Sequence, residues 1–170
     1  MDSMERRDQL IAMLQSAQGA ITGTELSQRC GVSRQVIVGD IAILRAQGQP
    51  IVSTPRGYQL AGAASSGIQR VFVCCHGMEQ MRAELEAIVD NGGIVRNVVI
   101  EHEIYGNLEG TLNLHSRRDV QQFICKIENS PDDLLSSISG GIHTHLVEAA
   151  SEEEMDAIAE ALKEAGVLYT

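Results

Sequence analysis

The stretch TELSQRCGVSRQVIVGDIAILRAQG, residues 24–48, predicts two helices that meet at a tight turn. The first helix is short and polar. Gly31 supplies the turn, Ser33 then opens a longer second helix, and Gly48 ends it. Apolar residues recur at helical spacing in the second helix and are expected to form its buried stripe. These residues are Val36, Ile37, Ile41 and Leu44.

The segments on either side complete a known layout. Residues 5–15 carry apolar side chains at helical spacing, and residues 50–60 are predicted to form two short strands around a Pro-Arg-Gly tip. A helix, a helix-turn-helix pair and a hairpin with a basic tip, in this order, are the layout of a winged helix-turn-helix. We therefore predict a winged helix-turn-helix DNA-binding domain over residues 1–60.

The start of the second helix is the part expected to enter a DNA major groove. Arginine and glutamine make bidentate contacts with base edges there, and serine reaches phosphate. An arginine in the wing reaches phosphate or a minor groove. The predicted DNA-binding residues are Ser33, Arg34, Gln35, Arg45 and Arg56. The predicted partner is double-stranded operator DNA, and the alternative is a helical protein-interaction module with solvated arginines.

The net charge of −10 is divided unevenly along the chain. Residues 1–60 hold six basic and five acidic residues, whereas the remainder holds seven basic and 18 acidic ones. This asymmetry indicates two domains with different partners. No apolar run approaches the roughly 20 residues of a membrane span, and the charged N-terminus does not resemble a signal peptide. We expect a cytoplasmic protein without a membrane partner, whose four cysteines are free thiols packed as small apolar groups.

A second domain follows a linker. Residues 61–67, AGAASSG, contain only Gly, Ala and Ser, so they are predicted to be that linker. Residues 68–170 then alternate between strand and helix patterns. The predicted strands are residues 68–75, 94–104, 110–114 and 138–148, and the predicted helices are residues 78–91, 116–128 and 151–165. This β-α-β-β-α-β-α order indicates an α+β fold with helices on one face of a single sheet, an open-faced sandwich.

Two of the five histidines, His143 and His145, lie two residues apart in the last predicted strand. Their side chains therefore share a face, with Cα atoms roughly 7 Å apart, and can converge on one ion. His76 ends the first strand of this domain, and Glu84 lies eight residues later in the next helix. If the last strand neighbours the first, these residues form a set suited to Zn, Ni, Fe or Co rather than Ca or Mg. The alternatives are a strand-end hydrogen bond for His76 and a solvated helix face for Glu84.

Four segments have the most specific pattern in the chain. They are His76 with Glu84 eight residues later, EHEIYG at 101–106, SRRDV at 116–120 and GGIHTH at 140–145. Together with the winged domain, they resemble niacin-responsive transcriptional repressors of NAD biosynthesis in bacteria. Those proteins join a winged helix-turn-helix to a domain named for three histidines. The second segment departs from the family's His-Pro-Val-Tyr-Gly at Glu103, whereas His102 is matched.

The resemblance covers nearly the whole chain and implies a ligand-controlled repressor. It implies an HPr-like sheet for the second domain, a divalent transition metal, nicotinic acid as co-repressor, and a homodimer on a palindromic operator. It also places His102 and Tyr105 at the ligand. The metal ligands that it implies are His76, Glu84, His143 and His145.

Arg117 and Arg118 begin a predicted helix, where the helix dipole is also positive, and we expect them to pair with the carboxylate of nicotinate. The alternative is a solvated helix face or ion pairs with Asp119 or Glu128. The rival function is a metal-responsive regulator in which the ion itself is the signal. An enzyme is not expected, because the sequence offers no clear general base. Whether nicotinic acid or nicotinamide is preferred stays open.

Overall fold

The structure is a computed structural model in which the chain divides into two units, Met1–Ala64 and Ser65–Thr170. The described residues are 2–62, 67–130 and 140–169. Residues 63–66 of the predicted linker, and residues 138–139 of the last predicted strand, lie outside them. Each unit has its own apolar core.

The first unit contains three helices followed by an antiparallel hairpin. The helices are α1 (Ser3–Ser16), α2 (Gly23–Cys30) and α3 (Arg34–Ala46), and the strands are β1 (Ile51–Thr54) and β2 (Gly57–Leu60). Gly31 ends α2 with a left-handed φ of 65°, a conformation that glycine adopts without strain. The predicted helix-turn-helix with its wing is therefore confirmed.

The buried face of α3 differs in one position from the predicted stripe. The sequence predicts Val36 in this stripe, but Val36 is 38% exposed. Asp40 takes a buried place instead, and its carboxylate accepts hydrogen bonds from Arg6 Nε at 2.6 Å and from Arg7 Nη1 at 3.4 Å. These bonds attach α1 to α3. The buried positions of α3 are Ile37, Asp40, Ile41 and Leu44, which recur at the helical spacing of three and four residues.

In the second unit, the described residues form four strands and three helices, with a 3-10 turn before the first helix. The strands are β3 (Ile68–Cys75), β4 (Ile94–His102), β5 (Gly106–Leu114) and β6 (Ile142–Ala149). The helices are α4 (Met81–Asp90), α5 (Arg117–Asn129) and α6 (Glu152–Glu164). The strands form one antiparallel sheet in the order β3-β6-β4-β5. Its buried face packs against the three helices, so the predicted open-faced α+β sandwich is confirmed.

Two strands begin at positions that differ from the predictions. β5 begins at Gly106, earlier than predicted, because residues 103–105 form the turn and Gly106 leaves that turn with a φ of 73°. β6 begins at Ile142, later than predicted. Gly140 and Gly141 precede it with φ values of 67° and 93°, which lie outside the strand region.

The place of β6 between β3 and β4 positions the site of the second unit. β6 pairs with β3 along its whole length, so that Cys74 lies opposite His143 and Phe72 lies opposite His145. Alternate residues of β6, including both histidines and Val147, are buried. The two histidines therefore point from the middle of the sheet into the layer of helices.

Replacing Asp40 by Asn should loosen the attachment of α1 to α3, because Arg6 and Arg7 lose the anion that they bind. We expect the first unit to lose roughly 1–3 kcal/mol of stability, seen as faster amide hydrogen exchange in α3. Glu25→Gln is the control, since it removes only an exposed ion pair with Arg29 and should cost less than about 1 kcal/mol. Equal exchange rates in the two variants would contradict this assignment.

Candidate functional site

Four side chains from three parts of the fold meet on the helix-facing side of the sheet. His143 and His145 come from β6, His76 follows the end of β3, and Glu84 lies in the first turn of α4. Each of them is 8% exposed or less. We refer to these four residues as the histidine–glutamate centre. The structure thus brings together the four residues that the sequence predicts as a metal-binding set.

The Nε2 atoms of all three rings point at the Glu84 carboxylate. His145 Nε2 lies 2.5 Å from Oε1, and His143 Nε2 lies 3.0 Å from Oε2. His76 Nε2 also contacts Oε2. The ring centroid of His143 lies 4.8 Å from that of His76 and 4.8 Å from that of His145. The ring planes meet at 90° in the first pair and 77° in the second. The rings therefore surround one carboxylate instead of stacking on one another.

The opposite nitrogen of each ring is held by a backbone carbonyl. His76 Nδ1 lies 2.7 Å from the oxygen of Gly77, and His143 Nδ1 lies 2.8 Å from that of Gly141. His145 Nδ1 lies 2.6 Å from the oxygen of Asn97. A carbonyl oxygen only accepts, so each Nδ1 must carry the proton. Such outer contacts fix the ring orientation and the tautomer of histidines that bind metals.

This arrangement needs positive charge at its middle. A neutral imidazole protonated at Nδ1 presents only a lone pair at Nε2, and a carboxylate oxygen also presents lone pairs. The three rings and Glu84 therefore cannot satisfy one another without protons or a cation between them. Three imidazole nitrogens with one carboxylate oxygen are donors that suit Zn, Ni or Fe better than Ca or Mg. The four residues fit a divalent transition metal.

The charge of Glu84 agrees with this interpretation. Burial opposes the charged form, but attraction to the ring of His145 and hydrogen bonds with the three histidines outweigh burial and hold the pKa of Glu84 below its usual range. For His76, burial opposes protonation, but the contact with the Glu84 carboxylate favours it more, so the pKa of His76 is raised. The centre therefore attracts positive charge.

The Cys74 thiol belongs to the same cluster. Its Sγ, a Glu84 oxygen and a His143 ring nitrogen all lie within 4.8 Å of one another, and Cys74 is fully buried. Burial, together with the charge of Glu84, raises the pKa of this thiol, so it stays protonated at neutral pH. From the sequence, Cys74 is expected only to pack as a small apolar group. The sequence feature that indicates a place in the cluster is the spacing of Cys74, two residues before His76. Residues two apart lie on the same face of an extended chain.

A cavity of about 590 Å³ opens onto the histidine–glutamate centre, which forms its floor. Apolar side chains from β4, β5 and α5 supply its walls, among them Val98, Leu112, Phe123 and Ile127. Lys126 of α5 also lines the cavity and is exposed, so it lies where the cavity meets solvent. Apolar walls with a few polar groups at defined places are typical of small-molecule sites.

His102 and Tyr105, predicted to bind ligand, lie at the turn between β4 and β5. His102 Nδ1 accepts hydrogen bonds from the backbone N–H groups of Ile104 at 3.1 Å and Tyr105 at 3.3 Å. The Tyr105 ring lies 5.1 Å from that of His102 and is 73% exposed. Neither residue lines the cavity. Both hold the turn in shape.

Arg117 and Arg118, predicted to pair with a ligand carboxylate, also lie away from the cavity. Arg117 donates two hydrogen bonds to Asp90, at 2.8 and 2.7 Å, so the ion-pair alternative is the one formed, although with a residue of α4. Arg118 is exposed. Both belong to the first turn of α5, whereas the residues of α5 that line the cavity come from its second half. These residues are Phe123, Lys126, Ile127 and Asn129.

The start of α3 carries the residues that the sequence predicts to contact DNA bases. Ser33 Oγ accepts a hydrogen bond from Val36 N at 3.3 Å and so caps the helix. Arg34 and Gln35 follow in the first turn, and both are exposed. The structure therefore leaves the predicted base-contacting pair open to a major groove.

The other two predicted DNA-binding arginines have contacts within the first unit. Arg45 donates to the carbonyl oxygen of Ile51 at 2.8 Å and to Ser53 Oγ at 2.7 Å. Its guanidinium also lies 5.9 Å from the ring centroid of Tyr58. Arg45 therefore attaches the wing to α3. Arg56 lies in the turn between β1 and β2 and is half-buried.

Comparison with known proteins agrees with both units. An HTH domain model matches residues 6–59, and a 3H domain model matches residues 69–170. Transcription repressor NadR of Bacillus subtilis (strain 168) is 41% identical over 96% of this chain and 92% of its own length. The probable transcription repressor NiaR of Thermotoga maritima is 40% identical over 96% of this chain and 93% of its own length. The chain belongs to the NadR/NiaR family of transcription repressors.

Membership of the NadR/NiaR family decides the class of function. The chain is a DNA-binding transcription repressor and not an enzyme. None of the helices in the described part of the chain has the length and the apolar character needed to cross a membrane. The cavity and the histidine–glutamate centre both lie within the residues that match the 3H domain.

Replacing Gly141 by Ala should distort the centre without removing a ligand. A Cβ at Gly141 would lie 2.6 Å from the carbonyl oxygen of His76, and the Gly141 carbonyl also holds His143. We expect the affinity for Zn²⁺, measured by competition with a chromogenic chelator, to fall about 10–100-fold, as for other losses of outer contacts. Gly140→Ala is the control, because Gly140 also has a positive φ, of 67°, but no atom lies within 4 Å of the new Cβ. Equal losses would show that backbone strain alone is responsible.

Replacing Arg34 by Ala should weaken operator binding, because it removes the arginine exposed in the first turn of α3. The expected loss is roughly 5–100-fold, the range for one bidentate base contact, measured by fluorescence anisotropy at fixed salt. Arg82→Ala removes the same charge from α4 and is the control. If both variants lose affinity equally, Arg34 acts only through net charge.

Proposed function

We propose that this repressor controls genes of NAD biosynthesis and niacin uptake, and that nicotinic acid is its co-repressor, bound beside a divalent metal. The observation that carries the proposal is the cavity whose floor is the histidine–glutamate centre. The metal ligands proposed are His76, Glu84, His143 and His145. We place the protein in the cytoplasm, where its operator is.

The floor and the walls of the cavity suit the two parts of nicotinic acid. A metal ion that takes more than four ligands would keep, beside the four donors of the centre, a position for the pyridine nitrogen or the carboxylate. The apolar walls, which include Leu112 and Phe123, remove an aromatic ring from water. Since the Nδ1 atoms are already held by carbonyls, the rings need no rearrangement before a ligand binds.

Co-repression requires that nicotinic acid prefer the DNA-competent arrangement of the protein. A coupling free energy of roughly 1–3 kcal/mol would change operator affinity by about 5–150-fold. We propose a homodimer on a palindromic operator, in which the ligand favours a spacing of about 34 Å between the two copies of α3, one turn of DNA.

The second candidate function is a metal-responsive regulator in which the ion is the signal. It is favoured by the composition of the centre, because the protein supplies all four donors and needs no organic ligand to complete them. In that case operator binding would follow the concentration of free metal alone.

The deciding measurement is the affinity of the metal-loaded protein for DNA upstream of its own gene, by fluorescence anisotropy at fixed salt. We expect nicotinic acid to tighten binding by about 5–150-fold. His145→Ala should abolish the response, because it removes one wall of the centre and the ring closest to Oε1 of Glu84. Metal-dependent binding that nicotinic acid leaves unchanged would favour the metal-responsive regulator instead.

A further inference from the structure

Lys126 has an environment that distinguishes it from the other basic residues of the second unit. It is one of only two lysines in the chain, and it lies on the face of α5 that also carries Phe123 and Ile127. These three residues line the cavity together because they are three and four positions apart. Among the described lining residues, Lys126 is the only one that is basic at neutral pH apart from the histidines of the floor.

We propose that Lys126 is the specificity-determining residue of the cavity, and that it selects ligands whose outer end is a carboxylate. This proposal rests on the proposed function, because it assigns a partner to one end of the effector. It answers the question that the sequence leaves open, namely nicotinic acid or nicotinamide. The two molecules have the same shape and the same ring nitrogen, and they differ in the charge that would face Lys126.

The ion pairs of the second unit support this assignment. Four of its arginines are already matched by carboxylates within 4.0 Å. These arginines are Arg70, Arg82, Arg96 and Arg117. Within the residues that the structure describes, Lys126 forms no such pair, although residues 61–170 hold 18 acidic side chains. No described carboxylate therefore partners this ammonium group at the apolar cavity, which leaves it suited to the anion of a bound ligand.

The surroundings of the ammonium group make such an anion favourable. The methylene stem of a lysine packs along apolar surface while its charged end stays near water. The apolar walls of the cavity partly bury the side chain of Lys126, and this burial lowers its pKa because it disfavours the charged form. A carboxylate bound beside Lys126 would offset that effect with a charge-assisted hydrogen bond.

The two ends of the cavity therefore favour different chemical groups of a ligand. The floor carries the histidine–glutamate centre, which binds a metal and through it a lone pair such as a pyridine nitrogen. The outer end carries Lys126, which binds an anion, and apolar walls separate the two. The ligand class that matches is a flat aromatic acid with a ring nitrogen. A carboxamide gains nothing from the positive charge of Lys126.

The test uses four ligands that vary the two ends independently. Nicotinic acid has both the ring nitrogen and the carboxylate, nicotinamide lacks the charge, benzoic acid lacks the nitrogen, and benzamide lacks both. Affinities are measured by isothermal titration calorimetry on the full chain loaded with Zn²⁺, for the wild type, Lys126→Met and Lys163→Met. Methionine keeps most of the lysine stem and removes the charge. Lys163 lies on α6, is exposed and does not line the cavity, so it is the matched control.

The expected result is a loss of affinity that is confined to the two carboxylic acids. Lys126→Met should bind nicotinic acid and benzoic acid about 10-fold more weakly or worse, as for a lost charge-assisted hydrogen bond. The two amides, the zinc content and Lys163→Met should match the wild type. Retained preference for the acids in Lys126→Met, or an equal loss for all four ligands, would overturn the role of Lys126 while leaving the proposed function intact. A wild type that binds no nicotinic acid would overturn the proposed function itself.

Discussion

The contact of one buried carboxylate with three imidazoles is the constraint on which the second unit depends. Glu84 is 1% exposed, and its two oxygens face the Nε2 atoms of three histidines. A buried carboxylate without partners costs several kcal/mol, so the rings and the positive charge between them must be present together. The contacts of Glu84 with His143 and His145 link the position of α4 to that of β6, and a backbone carbonyl holds the opposite nitrogen of each ring. A cation bound at the centre would therefore act on the sheet and on α4 at once.

This constraint also gives the second unit a route to control. The centre is the floor of the cavity, and β4, β5 and α5 supply its walls, so a bound molecule would contact several elements of the fold. A ligand changes an equilibrium only by the difference between its affinities for two arrangements. In a repressor with a DNA-binding first unit, a ligand with such a preference would change operator affinity without contacting DNA.

Local patterns in the sequence predict most of the helices and strands. They fail where contacts between elements determine which residues are buried or where a strand begins. Ser33 and Ser116 cap their helices, as expected for short polar residues that precede a segment with apolar side chains at helical spacing. The stripe of α3 is less well predicted, because Asp40 is buried by ion pairs with α1, which apolar spacing does not reveal. The start of β5 is missed because the turn before it is held by His102, a side chain bonding to the backbone.

By itself, the sequence determined the classes of the two units, their order, and the shared face of His143 and His145, because helix and strand periodicities are local properties of the chain. The tertiary structure decided the rest of the site. Only the strand order places β6 beside β3 and thereby brings His76, Glu84 and Cys74 to those two histidines. It also decided that Lys126, and not Arg117, lines the cavity. The physical reason is that the partners of a charged side chain come from elements distant in sequence, and no local pattern specifies them.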